Sequence, residues 1–262
     1  MTAFFPAISV CTTSYNSAHA IQEHLRSLRD SLAGFPFEYV VVDNKSSDGT
    51  HRALADLSKT FLNLTVISRR CSRGTGRQLA ARLARASTIL WVDTDTVYRS
   101  TLGLFVKRYF EIFGGRDVAL QAIYAGLYPK SLWFAVGGTR NLNYAEDLDL
   151  WIRLWTLGKM RWTPVVVGDN MKPRDAQNSD DFRYSRYSKM EQIRRVLRRE
   201  ADIWRLREYY RMDLESVWKT SAIDLGIDKL ETEWFSGRPV GSLRDSARRM
   251  RRDLTQILSG PV

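Results

Sequence analysis

Between residues 8 and 95, short β-branched runs alternate with amphipathic helical stretches, and this alternation constrains the chain more than any other feature. Phe37 to Asp43 contains Val40-Val41-Val42, an unbroken apolar run typical of a parallel strand buried on both sides. Ile8 to Thr12, Leu64 to Ser68 and Ile89 to Asp95 read as further strands. After the first, Ile21, Leu25, Leu28 and Leu32 recur at helical spacing on one face. A second helix carries Leu54, Leu57 and Phe61, and a third, rich in Ala and Leu, spans Arg77 to Ala86 behind a glycine loop at Arg73 to Gly76. This order implies a mostly parallel, twisted central sheet with right-handed crossovers and helices on both faces, a Rossmann-like α/β fold. Ligands on such sheets sit at the carboxyl ends of the strands. The turns after the first, second, third and fourth strands therefore converge on one edge.

From Leu102 to Tyr144 the pattern weakens: helical spacing around Phe105, Tyr109 and Phe113 gives way to short apolar pieces and Gly137-Gly138. A helix resumes from Ala145 to Leu157, stopped by Gly158, and a short strand follows from Thr163 to Val167. Beyond Asp169 the character changes to long amphipathic helices dense in arginine, Met190 to Met212 and Ser242 to Leu258. Residues 1–170 are read as one α/β domain and 171–262 as a basic helical extension.

With 262 residues, 44% of them hydrophobic, the chain can bury a full core. No apolar run approaches the roughly 20 residues of a membrane span. The stretch Met1 to Pro6 is too short and uncharged for a signal peptide. Cys11 and Cys71 lie in or beside strands without metal-ligand spacing, and are expected as reduced thiols in a cytoplasmic protein. His19, His24 and His51 show no metal-binding spacing either, which argues against a zinc hydrolase or a histidine-based triad. The net charge of +11 asks for an anionic partner: nucleic acid, an acidic membrane surface or a phosphorylated substrate.

The fourth strand ends in Asp93-Thr94-Asp95. On an extended backbone two acids at i and i+2 point the same way, and repel unless a cation intervenes or one is protonated. Mg2+ or Mn2+ suits such a pair, since both prefer carboxylate oxygen and share further positions with phosphate. An acid pair that merely caps the next helix accounts for the same residues. Likewise, Asn143-x-x-Glu146 fits a capping box, and Glu146, Asp147 and Asp149 in a first helical turn would offset the macrodipole.

Order and spacing decide between these readings. Thr13-Ser14-Tyr15-Asn16, Val42-Asp43-Asn44-Lys45-Ser46-Ser47-Asp48-Gly49-Thr50, Asp93-Thr94-Asp95 and Glu146-Asp147-Leu148-Asp149-Leu150-Trp151 together resemble glycosyltransferase family 2 over roughly residues 7 to 168. The resemblance implies the GT-A fold and a nucleotide-diphosphate sugar donor, UDP- or GDP-linked. It implies that Thr13, Tyr15, Asp43 and Asn44 hold the nucleoside. Asn44 stands where many members have a second Asp, and an amide can still pair with a base edge. Arg77 matches the family's arginine in the loop set for the diphosphate, with Gln78 replacing the usual Asn. Asp95 is implied to ligate Mg2+ or Mn2+, with Asp93 contacting ribose or a metal-bound water. Asp147 is implied as the base of an inverting transfer, with Glu146 and Asp149 as neighbours that support or replace it. The Arg73-Gly74-Thr75-Gly76-Arg77 loop also mimics a sugar-nucleotidyltransferase signature, which belongs after the first strand and not the third. No Gln-x-x-Arg-Trp motif follows the Ala145 to Leu157 helix, which points to a single transfer per encounter.

The expected acceptor is a glycan or a polyprenyl-linked glycan. Arg194, Arg195, Arg198, Arg199 and Arg205 lie opposite Ile193, Leu197 and Trp204. That face either is solvated or holds the enzyme peripherally on anionic lipid at the inner face of the membrane. Two rival readings stand: a basic nucleic-acid-binding protein, for which no recognisable module is present, and a non-catalytic GT-A-like binding protein.

Overall fold

A computed structural model describes residues 7–171 and the helical positions 198, 201, 202, 205 and 206. Five strands and three helices form the first half: β1 (Ile8–Ser14), α1 (Ile21–Ser31), β2 (Phe37–Asp43), α2 (Thr50–Thr60), β3 (Leu64–Ser68), α3 (Arg73–Leu83), β4 (Thr88–Val92) and β5 (Thr96–Tyr98). The second half contains α4 (Ser100–Phe113), β6 (Ala119–Ile123), β7 (Ala125–Pro129), α5 (Lys130–Ala135), α6 (Glu146–Thr156), β8 (Met160–Val166) and β9 (Gly168–Asn170).

The main sheet runs β3-β2-β1-β4-β7-β6-β8, and β5 pairs with β9 in a separate ribbon. Pairings among β3, β2, β1 and β4 are parallel, as the alternation requires. β7 runs antiparallel to both β4 and β6, while β8 returns parallel to β6. The chain lays β2 and β3 on one side of β1 and then β4 on the other. This reversal opens a crevice at the carboxyl ends of β1 and β4, the usual ligand position in open sheets.

Two apolar layers sandwich the sheet. On one face Leu25, Leu28 and Leu32 meet Leu102, Phe105 and Tyr109 over Val10, Tyr39 and Val41. On the other, Ala80, Ala81, Ala84, Trp133, Leu150 and Leu154 pack on Cys11, Val40, Val42 and Trp91. Both cysteines are free.

Two expectations need correcting. Arg73 to Gly76 is not a loop but the first turn of α3, capped by Ser72, whose Oγ accepts from Thr75 N at 3.1 Å. Its glycines are there for contact: a Cβ on Gly74 would lie 1.9 Å from Arg140 O, and one on Gly76 2.5 Å from Thr13 Cγ2. The weakly patterned stretch after Phe113 holds the hairpin β6–β7, turned at Tyr124 with a left-handed φ of 74°. The second arginine-rich helix lies outside the described residues, as does most of the first.

Candidate active site

β4 stops at Val92, and Asp93 to Asp95 form a tight turn in which Thr96 N donates to Asp93 O at 3.3 Å. The two acids are thus brought together by a turn and not by the period-two alternation of a strand. Neutral hydrogen bonds fix this turn from beneath. Thr12 Oγ1 donates to Val92 O (2.8 Å), Asp93 N donates to Tyr98 Oη (3.0 Å), and Tyr98 Oη donates to Tyr124 O (2.7 Å). Thr94 Oγ1 pairs with Ser17 Oγ at 3.0 Å. Below lies His24, wholly buried, with Nδ1 2.8 Å from Thr96 O and Nε2 2.5 Å from Tyr39 Oη. A carbonyl only accepts, so Nδ1 carries the proton and Nε2 accepts a hydrogen bond from Tyr39 Oη. Burial lowers the His24 pKa to about 4, which keeps the ring neutral. A histidine within the apolar stripe of α1 was the sequence signal for this role; Tyr98 gave none.

Arg77, on the second turn of α3, ties this turn to the start of α6. Its guanidinium lies 3.6 Å from Asp93 Oδ1, 3.3 Å from Glu146 Oε1 and 3.9 Å from Asp147 Oδ2. Its Cζ stacks 4.3 Å over the Trp91 ring, a cation–π contact in a setting only 7% exposed. Arg73 adds a second guanidinium, 3.8 Å from Glu146 Oε1 and half exposed. The nearby acids raise its pKa further, Glu146 above all.

Each carboxylate has a different setting. Asp93 keeps 45% of its side chain open to the cleft. Even so, desolvation in the cleft pushes it up to about 6, with Arg77 opposing and Asp95 adding to the shift. Glu146 is fully buried and neither oxygen has a hydrogen-bond partner; burial raises its pKa, against the pull of Arg77 and Arg73. Asp147 is 39% exposed, with Oδ1 accepting from Leu148 N at 2.8 Å. Asp149 is buried between Arg140 (2.9 Å) and Arg153 (2.7 Å), a structural ion pair that removes it from the cleft.

The capping-box alternative fails on geometry. Ala145, not Asn143, precedes α6, with φ 55° and no side-chain cap. The Asn143 side chain instead accepts from Arg73 N at 3.4 Å. For the same reason, the start of α3 is not an open amide cradle for phosphate. Arg73 N, Gly74 N and Thr75 N already donate to Asn143 Oδ1, Leu142 O and Ser72 Oγ. The cationic groups facing the cleft are side chains.

The turns after β1 and β2 are stitched to each other. Asn44 N donates to Ser14 O (2.8 Å), Asn16 N to Ser46 Oγ (2.9 Å) and Ser47 N to Asn16 Oδ1 (3.0 Å). Asp43 is buried and accepts from Ser46 N and Oγ; Asn44 Oδ1 accepts from Cys71 N at 2.9 Å. Thr13 and Tyr15 are half buried at the same edge. Gln78, at the position of the usual Asn, accepts from Trp133 Nε1 and Thr139 N, and so serves the scaffold. Among the described residues, no group of three or more His, Cys, Asp and Glu gathers for a metal, so a cation here would rely on Asp93 and Asp95 with non-protein ligands.

An open α/β sheet with acids and arginines at its switch point is the GT-A architecture of nucleotide-sugar transferases. The sequence profile described as "Glycosyl transferase family 2" matches residues 9–171, and the chain belongs to that family. It is 34% identical over 92 residues to a poly(ribitol-phosphate) beta-glucosyltransferase of Bacillus spizizenii, covering 34% of this chain and 14% of that protein. It is 30% identical over 144 residues to the uncharacterized glycosyltransferase YfnE of Bacillus subtilis, covering 47% and 37%. The chain thus spans well under half the length of either relative. Among solved structures, a mannosyltransferase from Pyrobaculum calidifontis in complex with GDP-Man and Mn2+ superposes with a TM-score of 0.56. That match is 19% identical and covers 96% of this chain and 81% of the other. S. aureus TarS 1-349 in complex with UDP-GlcNAc gives 0.54 at 18% identity, covering 71% and 63%.

Proposed function

We propose that this glycosyltransferase is metal-dependent and inverting, moving a sugar from a UDP- or GDP-linked donor to an acceptor hydroxyl. The observation that carries this reading is Arg77, which lies within 4 Å of Asp93 on one side and of Glu146 and Asp147 on the other. One guanidinium thereby joins a donor-side acid to an acceptor-side acid.

Asp95 and Asp93 would hold Mg2+ or Mn2+. Their hard oxygens suit either ion, and a cation would relieve the repulsion and desolvation that raise Asp93. Such an ion supplies charge neutralisation for the departing nucleoside diphosphate. Arg73 and Arg77 add fixed positive charge at the same place. Thr13, Tyr15, Asp43 and Asn44 bound the nucleoside end, with the backbone of the stitched turns as its floor.

Asp147 takes the proton from the attacking hydroxyl, as the one open carboxylate at the start of α6. Glu146 does different work: sealed from solvent, it holds Arg77 and Arg73 in place and does not touch the acceptor. A base on the face opposite the leaving group produces inversion. The ligands of the structural neighbours, UDP-GlcNAc in one and GDP-Man with Mn2+ in the other, support a nucleotide-sugar donor and Mn2+ use. The net charge of +11 suits an acceptor that bears phosphate, including a polyprenyl-linked glycan on an anionic membrane. No described helix is long and apolar enough to cross a membrane. Nucleic acid has no part in this reading.

Thermal melting with UDP and with GDP, each with and without Mn2+, tests it. The expected result is an upward shift that needs both nucleotide and cation. A shift with oligonucleotides and none with nucleotides would refute it.

A further inference from the structure

The stretch leading into Glu146 and Asp147 is gripped from two directions, and one grip comes from a residue 59 positions further along the chain. On the inner side, Gly74 N donates to Leu142 O (2.8 Å), Thr139 Oγ1 donates to Gly74 O (2.8 Å), and Thr75 Oγ1 donates to Asn141 Oδ1 (3.1 Å). On the other, Asn143 N donates to the carboxylate of Asp202, Oδ2, at 2.7 Å. Asp202 is only 2% exposed, and Leu206, one helical turn on, is 1% exposed. Arg198 and Arg205, also at helical positions, are exposed, and Arg205 reaches Asp202 Oδ1 at 3.3 Å.

A buried carboxylate needs a strong reason to leave water. Here its second oxygen meets a guanidinium and its first a backbone N–H only three residues before Glu146. Between them stands Ala145, a non-glycine residue held at φ 55°, which a surrounding structure must enforce. Asn143 is doubly committed, with its amide to Asp202 and its side-chain oxygen to Arg73 N.

We infer that Asp202 is a positioning residue for Asp147: the segment after residue 170 supplies a carboxylate that fixes residues 139–145 and so aims the acid pair at the cleft. This rests on the reading of Asp147 as the base. It also makes that part of the chain after residue 170 a working component of the active site, not an appended basic arm.

The test compares the full-length protein with Asp202→Ala and Asp202→Asn, since the amide oxygen of Asn can still accept from Asn143 N. Should Asp202→Ala fail to fold, Asp202→Ser serves instead, its side chain being too short to reach Asn143. Three readouts are taken: hydrogen exchange over residues 139–147, nucleotide binding with Mn2+, and slow transfer of a donor sugar to water across a nucleotide-sugar panel. In Asp202→Ala, exchange should quicken at least tenfold and turnover should fall about 10- to 100-fold, with nucleotide binding changed less than twofold. Asp202→Asn should recover to within about threefold of wild type on all three. Unchanged exchange in Asp202→Ala would overturn the inference. So would parallel loss of binding and turnover in both variants, which marks a general folding role. An Asp147→Asn protein that keeps full turnover would instead defeat the base assignment, whatever the exchange data show.

Discussion

The two acidic corners of the cleft are built on opposite principles. The Asp93–Asp95 turn stands on neutral groups: Tyr98, Thr12, Ser17 and an uncharged His24. The Glu146–Asp149 turn stands on cations: Arg77 and Arg73 against Glu146, Arg140 and Arg153 against Asp149. A neutral foundation leaves the first pair's charge to be offset only by the side chains of Arg77 and Arg73, as the proposed metal-binding role would require. A cationic foundation neutralises the buried acids of the second corner and leaves Asp147 as its open carboxylate. Arg77 belongs to both corners, so it is where the contrast is most easily broken.

Removing that shared ion gives the largest expected effect on stability. Arg77→Ala leaves Glu146 buried without its nearer partner and should cost about 3–5 kcal/mol, read as a drop in thermal melting temperature. Arg77→Lys should not restore it, because an ammonium cannot span Asp93 and Glu146 while lying flat on Trp91. A Tyr98→Phe protein tests the neutral corner. Asp93 N and Tyr124 O would both lose their partner, at about 1–3 kcal/mol, with nucleotide and Mn2+ binding weakened more than the acceptor-side chemistry. Gly74→Ala strikes the Glu146–Asp149 corner through packing alone. Its Cβ would drive against Arg140 O, and about 1–3 kcal/mol of strain should appear in melting together with faster proteolysis near residues 139–145.

The smallest effect lies away from the cleft, in an ion pair that belongs to neither corner. Burial pushes Glu38 up, but hydrogen bonds from Ser9 Oγ, Arg85 N and the Arg85 side chain outweigh it and hold the group below the usual carboxylate range. Its stabilisation is therefore present above the unfolded pKa and lost as pH falls through the folded one. Melting curves of wild type and Glu38→Gln should differ most at neutral pH, by about 1 kcal/mol, and converge as pH falls through the folded-state pKa of Glu38.

How much of this could be read beforehand follows from which residues speak locally. Val40-Val41-Val42 and the spacing of Ile21, Leu25 and Leu28 announce their burial, and the parallel half was legible to within a residue or two at most boundaries. β7 was not: it lies beside β4 through a hairpin turned at Tyr124, and nothing in that residue signals a left-handed turn. Glycines at 74 and 76 look like a loop because glycine disfavours helix. Their cause is the close approach of Arg140 and Thr13, which no local pattern carries. In the cleft, the local motifs single out Asp93, Asp95, Glu146, Asp147 and Arg77 as candidates, but not how differently each is set. Burial separates Glu146 from Asp147, and ion pairs withdraw Asp149, through contacts with residues distant in sequence.

The account depends on the two corners doing separable jobs, and electron paramagnetic resonance of Mn2+ titrated into the nucleotide-loaded protein measures this most directly. Asp147→Asn should bind Mn2+ as wild type does while transfer to water falls by about 10²- to 10⁴-fold, and Asp95→Ala should lose the bound signal. Equal Mn2+ binding in Asp95→Ala and wild type would contradict the account.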